Sequence, residues 1–528
     1  MMMLCHFFFS FLISFVLSKN ALVVVFPFYQ NKNLDLAELI RTTVNETNVS
    51  YDILIEQNEG KKWKKQFEAK NYVIFYEYEV YHDEKDQNGI DVDIDEAPKD
   101  AQFKFTQIYL RRIYQSFLDS VDNLNIMNKT YDMLITDQPN FISVILSKRL
   151  NIRRNLYLSM SPLPQIFKKS FEFNPSYFPS FASDFSNVMS YGERCKNFFT
   201  YVSDTMIDWL SRYEIQYLFN DYGYHDIYNY DIILDNAMTL IQYPHGVAFP
   251  LSTPPNFVLL NALAVDEEYT RMVDVDSKLQ KFMSKYENVV IVSRNIFYHL
   301  NISIIKEIVN DNSKYGFIFL RDKLNTTITS ENIFTYDITN FTLSEEFKLL
   351  HTLLTENKIL TVITYGNINE ISISLHHSKP VVTIGNGAIH HNINSYIKTN
   401  MLGFSFGDSE MFSSLSYKKA FRILSEDDSD EDEISIYKKN AIKLSNILTS
   451  NKSAKKEFIK WVKYGFTNGY ETLNIIAYKK HSWFVLFGLD VFITFLLIAI
   501  IIVSIVIYGI VKIYKKCFSK KENKLKKD

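Results

Sequence analysis

The sequence predicts an α/β protein with two parallel-sheet domains facing each other across a cleft, followed by a single transmembrane helix. Short apolar runs rich in β-branched residues alternate with segments of helical spacing, and this alternation occurs in two successive series. Residues Val491–Val511 carry no charged side chain and, at ~1.5 Å rise per residue, can cross the roughly 30 Å core of a bilayer. A hydrophobic content of 47% is sufficient for a large ordered core.

The first series, residues 19–242, is predicted to form the N-terminal domain. It opens with the apolar run A-L-V-V-V-F-P-F-Y at 21–29, and a segment of helical spacing begins at Asn33. Further strands are predicted at residues 51–55, 71–76, 131–137 and 155–161. Strands that are apolar throughout and alternate with helices are typical of a parallel sheet covered on both faces.

A proline-punctuated segment, residues 243–256, is predicted to link the two domains. The second series, residues 257–480, would form the C-terminal domain with helices that return near its end. Its strands are predicted at residues 288–293, 315–321, 359–365 and 379–385. Because α/β domains bind ligands at strand ends and domain interfaces, we expect the ligand site in the cleft between the two domains.

The two ends of the sequence predict a membrane-anchored protein of the secretory route. Residues 1–18 have the apolar stretch of a signal peptide, with an uncleaved anchor as the alternative. The tail at residues 512–528 is rich in lysine, which predicts a cytosolic tail and a type I protein with its bulk in the lumen. Lys524 and Lys526 fit a dilysine signal for retrieval to the endoplasmic reticulum. Candidate glycosylation sequons in the predicted lumenal part begin at Asn45, Asn48, Asn128, Asn301, Asn325, Asn340 and Asn451.

The net charge, the cysteine content and the acidic runs limit the partners, disulfides and metal sites that can be expected. The net charge of −3 argues against nucleic acid as the main partner. Cys195 is the one cysteine between the predicted signal peptide and the membrane segment, so no internal disulfide is expected there. The acidic run at 91–96 lacks the glycine and distal glutamate of an EF-hand and is interpreted as a solvated loop, and the run at 425–433 as an exposed linker. No metal site is predicted.

The most specific motifs lie near the C-terminus. I-Y-K-K-N-A-I-K-L-S-N-I-L at 436–448, then Trp461, then H-S-W-F-V-L-F-G-L-D-V-F-I-T-F-L-L at 481–497 resemble, in order and spacing, the C-terminal part of the membrane-bound UDP-glucuronosyltransferases. The chain is thus identified as a divergent member of the UDP-glycosyltransferase family. The resemblance implies the GT-B fold, in which an N-terminal Rossmann-like domain takes the acceptor and a C-terminal one takes the UDP-sugar. The UDP-sugar is a co-substrate, and no other cofactor is implied.

The resemblance also implies a catalytic pair in the N-terminal domain. In the family, a histidine after the first strand removes the acceptor proton, because a neutral hydroxyl is a poor nucleophile, and an aspartate orients that histidine. In this chain Asn31 or a neighbour stands at the place of the histidine, and an amide cannot take a proton. Asp137 matches the aspartate and is the candidate for proton handling. The alternative for Asp137 is a polar residue that closes a strand and caps the next turn.

The donor side departs from the family pattern. Residues 363–384 align without gaps with the signature I-T-H-G-G-x-N-S-x-x-E-x-x-x-x-G-x-P, but Glu370 replaces the phosphate-contacting serine. A carboxylate at this position would repel a diphosphate. The tryptophan that usually stacks on uracil is missing, and His390 falls in the sugar-binding pair of the family. The residues expected at the donor site are Ser293, Tyr365, Gly366, Asn367, Asn369, Glu370 and His390.

Two functions follow from the resemblance. The first is a UDP-glycosyltransferase of the glucuronosyltransferase type, which transfers a sugar with inversion to the hydroxyl group of a small lipophilic acceptor in the lumen of the endoplasmic reticulum. The second is a catalytically impaired member that acts as a non-catalytic lumenal binding or regulatory membrane protein, which the missing histidine and donor-site residues favour. A cell-surface receptor is a third reading, and assembly into homo- or hetero-oligomers is left open.

Overall fold

The computed structural model describes residues 19–25, 33–47, 49–67, 73–78, 111–137, 141–159, 176–180, 183, 185–225, 237–250, 253–321, 330–339, 341–385, 388–407, 409–425, 435–473, 485 and 489–525. The chain forms two compact units, residues 1–474 and residues 475–528. The predicted signal peptide at 1–18 and Asn31 lie outside the described residues.

The first unit contains two parallel sheets, as the sequence predicts. The first sheet has seven strands in the order β3-β2-β1-β4-β5-β6-β7. These strands are β1 Lys19–Val24, β2 Val49–Glu56, β3 Val73–Tyr78, β4 Met133–Thr136, β5 Asn155–Ser159, β6 Ala237–Gln242 and β7 Phe257–Leu260. The helices associated with this sheet are α1 Asn33–Thr47, α2 Gln57–Gln66, α3 at residues 111–121, α4 Phe141–Arg149 and α5 Tyr191–Asp221.

The second sheet has six parallel strands in the order β10-β9-β8-β11-β12-β13. They are β8 Val289–Val292, β9 Gly316–Arg321, β10 Ile333–Asp337, β11 Ile359–Thr364, β12 Val381–Ile384 and β13 Gly403–Phe406. The helices of this part are α6 Ser277–Ser284, α7 Ile296–His299, α8 Ile302–Asp311, α9 Leu343–Leu354, α10 Ile368–His376, α11 Ala388–Thr399, α12 Ser414–Ser425, α13 Ile436–Ser450 and α14 Ala454–Asn468.

Each predicted strand overlaps a strand of the structure, whereas β6, β7, β10 and β13 were not predicted. β6 is buried at every position, but its sequence A-M-T-L-I-Q has a single β-branched apolar residue, so the usual strand signal is weak. β7 follows the prolines of the predicted linker and pairs with β6. Strand pairing within the first sheet therefore continues to Leu260, past residue 256 where the sequence places the domain boundary.

A single hydrophobic cluster extends over both sheets, so the two halves share part of their core. It includes Leu36 of α1, Leu350 of α9 and Phe458 of α14, all of them buried. Helix α14 belongs to the C-terminal part of the sequence but packs on α1 of the first half. Asp266 caps its first turn by accepting hydrogen bonds from the backbone N–H groups of Ala454, at 3.0 Å, and Lys455, at 2.9 Å.

The second unit contains α15, Leu489–Leu525. Its stretch Leu489–Ile513 has a mean hydropathy of 3.1 and is, among the described residues, the one helical stretch long and apolar enough to cross a membrane. The predicted transmembrane segment therefore lies within a continuous helix.

Candidate functional site at the ends of β8 and β11

Each sheet has a topological switch point, where the strand order reverses direction. It lies between β1 and β4 in the first sheet and between β8 and β11 in the second. Open α/β sheets bind ligands outside the carboxyl ends of their strands at this point. Asp137 directly follows β4, Ser293 directly follows β8, and residues 365–370 follow β11. Asp137, Ser293 and the predicted residues between 365 and 370 therefore lie at the two switch points.

Glu370 lies in the first turn of α10 and turns back towards the strand ends. Ser293 Oγ donates a hydrogen bond to Glu370 Oε1 at 2.6 Å, and Thr364 Oγ1 donates one to Glu370 Oε2. The backbone N–H of Ser293 donates to the carbonyl of Ile363 at 3.0 Å, which holds the two strand ends side by side. Ser293, Thr364 and Glu370 are called the strand-end cluster below. Glu370 is only 8% exposed, so its carboxyl group is satisfied by protein hydroxyls rather than by solvent.

Burial raises the pKa of the Glu370 carboxyl group to about 7. The hydrogen bonds from Ser293 and Thr364 act in the opposite direction because they stabilise the ionised form. Nearby Glu346 raises this pKa further and Arg294 lowers it. The carboxyl group therefore changes its charge near neutral pH, which an exposed glutamate does not do.

A small pocket adjoins the strand-end cluster. It encloses a volume of about 40 Å³, and Ser293, Arg294, Asn367 and Glu370 line it from the strand ends, with Glu346 and apolar side chains from α9 opposite. The guanidinium of Arg294 lies 3.6 Å from the carboxylate of Glu346, measured from Nη2 to Oε2. The pocket thus combines one guanidinium, two carboxyl groups and the first turn of α10. Its volume is well below the roughly 300 Å³ or more of a typical ligand pocket.

The loop after β11 places three predicted residues in three different roles. Gly366 adopts φ 85°, a left-handed conformation that glycine adopts without strain. Asn367 is the N-cap of α10, and its Oδ1 accepts a hydrogen bond from the backbone N–H of Asn369 at 2.9 Å. Tyr365 is buried in the core, and a Cβ added at Gly385 would come within 3.2 Å of its ring. Of these residues, Asn367 lines the pocket.

Asn369 connects the two sheets. Its Nδ2 donates to Asp35 Oδ2 of α1 at 2.8 Å, and its Oδ1 accepts from Gln242 Nε2 at the end of β6 at 2.8 Å. The backbone N–H of Ala264 donates to the same Oδ1 at 3.3 Å. Asp35, Gln242, Ala264 and Asn369 are called the inter-sheet contact below. The amide of Asn369, which the sequence assigns to the donor site, is thus engaged by the first half of the chain.

Burial raises the pKa of Asp35 to about 7, and the hydrogen bond from Asn369 opposes this effect. The carboxyl groups of Glu38 and Glu346 raise it further. Two carboxyl groups that titrate near neutral pH therefore meet the first turn of α10. One belongs to Glu370 itself, and the other belongs to Asp35, which is bound by Asn369.

In the first half, Asp137 is buried, with 2% of its surface exposed, and accepts a hydrogen bond from Thr136 Oγ1 at 3.2 Å. The strand-terminal position that the sequence predicts for Asp137 is therefore present. His390 lies in α11, and its side chain falls outside what the structure describes, as does Asn31.

Sequence reasoning missed Asp35, Gln242, Arg294, Glu346 and Thr364. Thr364 is the last residue of β11 and Arg294 follows Ser293 after β8, so both adjoin predicted residues, and the rule that ligands bind at strand ends could have included them. No local signal identifies Asp35, Gln242 and Glu346, because they reach α10 or the pocket only through long-range packing.

The fold is shared with glycosyltransferases of known structure. The glycotransferase of kitacinnamycin has a TM-score of 0.55 at 12% identity, over 85% of this chain and 99% of that one. CalG4, the calicheamicin glycosyltransferase, has a TM-score of 0.53 at 11% identity, over 86% of this chain and 100% of that one. The spinosyn rhamnosyltransferase SpnG, complexed with thymidine diphosphate, has a TM-score of 0.51 at 10% identity, over 84% and 99%. At such identities the similarity establishes the fold, which is GT-B.

A comparison of the sequence with models of protein families agrees with this structural similarity. The model of the family "UDP-glucoronosyl and UDP-glucosyl transferase" matches residues 52–295, most of the first sheet and the start of the second. This match does not include residues 436–497, which carry the motifs that resemble the C-terminal part of the family. No curated protein matches the sequence significantly. The family match over residues 52–295 and the GT-B fold together confirm the resemblance to the UDP-glycosyltransferases.

Proposed function

We propose that this chain is a glycosyltransferase that moves a sugar from a UDP-sugar to the hydroxyl group of a small lipophilic acceptor, with inversion at the anomeric carbon. The observation that carries the proposal is the pocket at the ends of β8 and β11, where Ser293, Arg294, Asn367 and the first turn of α10 converge. A helix N-terminus offers backbone N–H donors and partial positive charge, which suit a diphosphate. Arg294 adds a full positive charge beside it.

Each group has a defined task in this reaction. As the bond between the sugar and UDP breaks, negative charge grows on the diphosphate, and Arg294 with the N-terminus of α10 would stabilise it. Inversion requires the acceptor oxygen to attack the anomeric carbon from the face opposite UDP and to lose its proton. We assign this proton to Asp137, because it stands at the switch point of the other sheet.

The proposed site of action is the lumenal side of the endoplasmic reticulum membrane. The apolar stretch Leu489–Ile513 supports a membrane anchor, and the lysine-rich residues that follow it support a cytosolic tail. A lipophilic acceptor partitions into the membrane, so an anchored enzyme would meet it at high local concentration.

A second function, a non-catalytic binding or regulatory protein, is favoured by a different observation. The carboxyl group of Glu370 already accepts hydrogen bonds from the hydroxyls of Ser293 and Thr364, and the adjoining pocket has a volume of only about 40 Å³. A protein that uses this region for packing would need no donor there.

Calorimetric titration of the detergent-solubilised full chain with UDP-glucose and UDP-glucuronic acid, followed by transfer assays with a panel of phenols, separates the two functions. We expect millimolar or tighter donor binding and measurable transfer. Asp137→Asn should lower kcat by about 10²-fold or more while leaving the Kd of the donor unchanged, because it removes the proton acceptor and not a donor contact.

Binding without transfer to any phenol would favour the non-catalytic function. Absence of binding at millimolar donor would contradict the transferase proposal. Full activity of Asp137→Asn would contradict the role assigned to Asp137 and leave the donor site untouched.

A further inference from the structure

We propose that the carboxyl group of Glu370 takes the hydrogen bonds that a phosphate of the donor would otherwise accept, and that a nucleotide sugar binds only when this carboxyl group is protonated. The inference rests on the proposed function, since it concerns how the same site admits its donor. The charge of this single residue would decide whether the site admits its donor.

The geometry of the strand-end cluster supports the occupancy. Two hydroxyl groups from adjacent strand ends, Ser293 and Thr364, converge on the two oxygens of one carboxyl group. That carboxyl group belongs to the first turn of α10, where the helix N-terminus favours an anion. Hydroxyl donors together with a helix N-terminus are the groups that commonly hold phosphate oxygens in proteins. Here a side chain of the protein takes their hydrogen bonds.

The charges that face Glu370 explain why a proton is required. Helix α9 contributes Glu346, the turn after β8 contributes Arg294, and α1 contributes Asp35, which reaches α10 through Asn369. The ends of β8 and β11 contribute only the uncharged hydroxyls of Ser293 and Thr364. With Glu370 ionised, one nearby guanidinium would face Glu370, Glu346 and two further negative charges of a diphosphate in a partly buried site. Protonation of Glu370 removes one of these charges and turns an acceptor into a donor for a phosphate oxygen.

The expected pH dependence follows from the buried position of Glu370, whose pKa is raised to about 7. Below this pH most molecules carry the neutral carboxyl group and can bind the donor. As the pH rises above it, the competent fraction falls, and the apparent Kd rises by the inverse of that fraction. From pH 6 to pH 8 this gives about a tenfold loss of affinity.

The test is calorimetric titration of the full chain with UDP-glucose at pH 6, 7 and 8, each in two buffers of different ionisation enthalpy. UDP-glucose is the probe because its diphosphate diester does not change charge in this range, whereas the terminal phosphate of UDP does. We expect about tenfold weaker binding at pH 8 than at pH 6, with uptake of up to one proton at the higher pH. Glu370→Gln should bind with a pH-independent Kd and take up no proton. Exposed Glu410→Gln is the matched control and should behave as the native chain.

The outcomes distinguish this inference from the proposed function. A native Kd that is constant from pH 6 to pH 8 and unchanged in Glu370→Gln would overturn the inference while the donor site stands. Absence of binding by both proteins at every pH would overturn both, because removal of the negative charge at residue 370 should allow the donor to bind. Binding by Glu370→Gln alone would support occupancy by Glu370 but overturn the protonation step and the transferase function of the native chain. Glu370→Ser, which restores the hydroxyl expected from the family, repeats the test if Glu370→Gln does not fold by circular dichroism.

Discussion

The first turn of α10 presents two adjacent residues to two different parts of the molecule. Asn369 belongs to the inter-sheet contact and binds Asp35 and Gln242 of the first half, whereas Glu370 belongs to the strand-end cluster and binds Ser293 and Thr364 of the second sheet. One residue holds the halves together and the next closes the strand ends of its own sheet. Adjacent residues of one motif are thus buried for different reasons, so they should respond differently to substitution and to pH.

The largest expected effect concerns Asp35. Its pKa rises from 3.8 to about 7 on folding, so the folded chain holds its proton more tightly than the unfolded chain. The associated stability is fully present below pH 3.8 and is lost as the pH rises through about 7, which amounts to about 4 kcal/mol. In Asp35→Asn, the loss of unfolding free energy between pH 4 and pH 8 should be smaller by about this amount. Urea denaturation of the solubilised chain at both pH values measures it.

Exposed Asp274→Asn is the control for this measurement, because it changes the same charge without a buried partner. Glu370→Gln, in the first turn of α10, should reduce the loss by about 3 kcal/mol, since the pKa of Glu370 starts from 4.5. An unchanged pH profile in Asp35→Asn would show that the inter-sheet contact does not keep Asp35 buried in solution.

A smaller effect is expected from Asn369→Ala. This substitution removes three hydrogen bonds and leaves Asp35 and Gln242 buried with fewer partners, which should lower the free energy of unfolding by about 3 kcal/mol. The same denaturation experiment measures it. The exposed Asn310→Ala, on α8, should cost less than about 0.5 kcal/mol. Equal effects at both positions would mean that the contact between the sheets carries no stability.

The smallest effect is expected from Asn367→Ala, which removes the N-cap of α10 but no hydrogen bond of the inter-sheet contact or of the strand-end cluster. Loss of an N-cap costs about 1 kcal/mol, because one backbone N–H of the first turn loses its acceptor. Stability from urea denaturation should fall by this amount, with the pH dependence unchanged. A loss comparable to that of Asn369→Ala would show that the cap, and not the inter-sheet contact, holds this turn in place.

Much of the fold could be predicted from the sequence because strands buried on both faces leave long apolar runs. The run at 21–29 and the runs before Asp137 and Ser293 are of this kind, and each corresponds to a central strand. β10 could not be predicted in the same way, because it is an edge strand whose residues are mostly half-exposed and lack a continuous apolar run. β7 was not predicted because the prolines before it are typical of a domain linker.

The site was predicted as a set of positions, but not as a set of contacts. Ser293 and Glu370 are 77 residues apart in the chain, and their 2.6 Å contact depends on β8 and β11 being neighbours. Asn369 and Asp35 are 334 residues apart, and their contact depends on how the two halves meet. No local pattern encodes either distance.

The sequence alone was thus sufficient to predict two parallel sheets and an apolar helix near the C-terminus. It also showed a carboxyl group at the position where the family has a serine. The first two depend on apolar runs and helical spacing between neighbours in the chain, and the third on the alignment with the family signature. Packing in three dimensions was needed to show that this carboxyl group is buried, bound by two hydroxyls and neutral in part near pH 7. The pKa of a side chain depends on its solvent access and on charges brought close by folding, and these are properties of the tertiary structure.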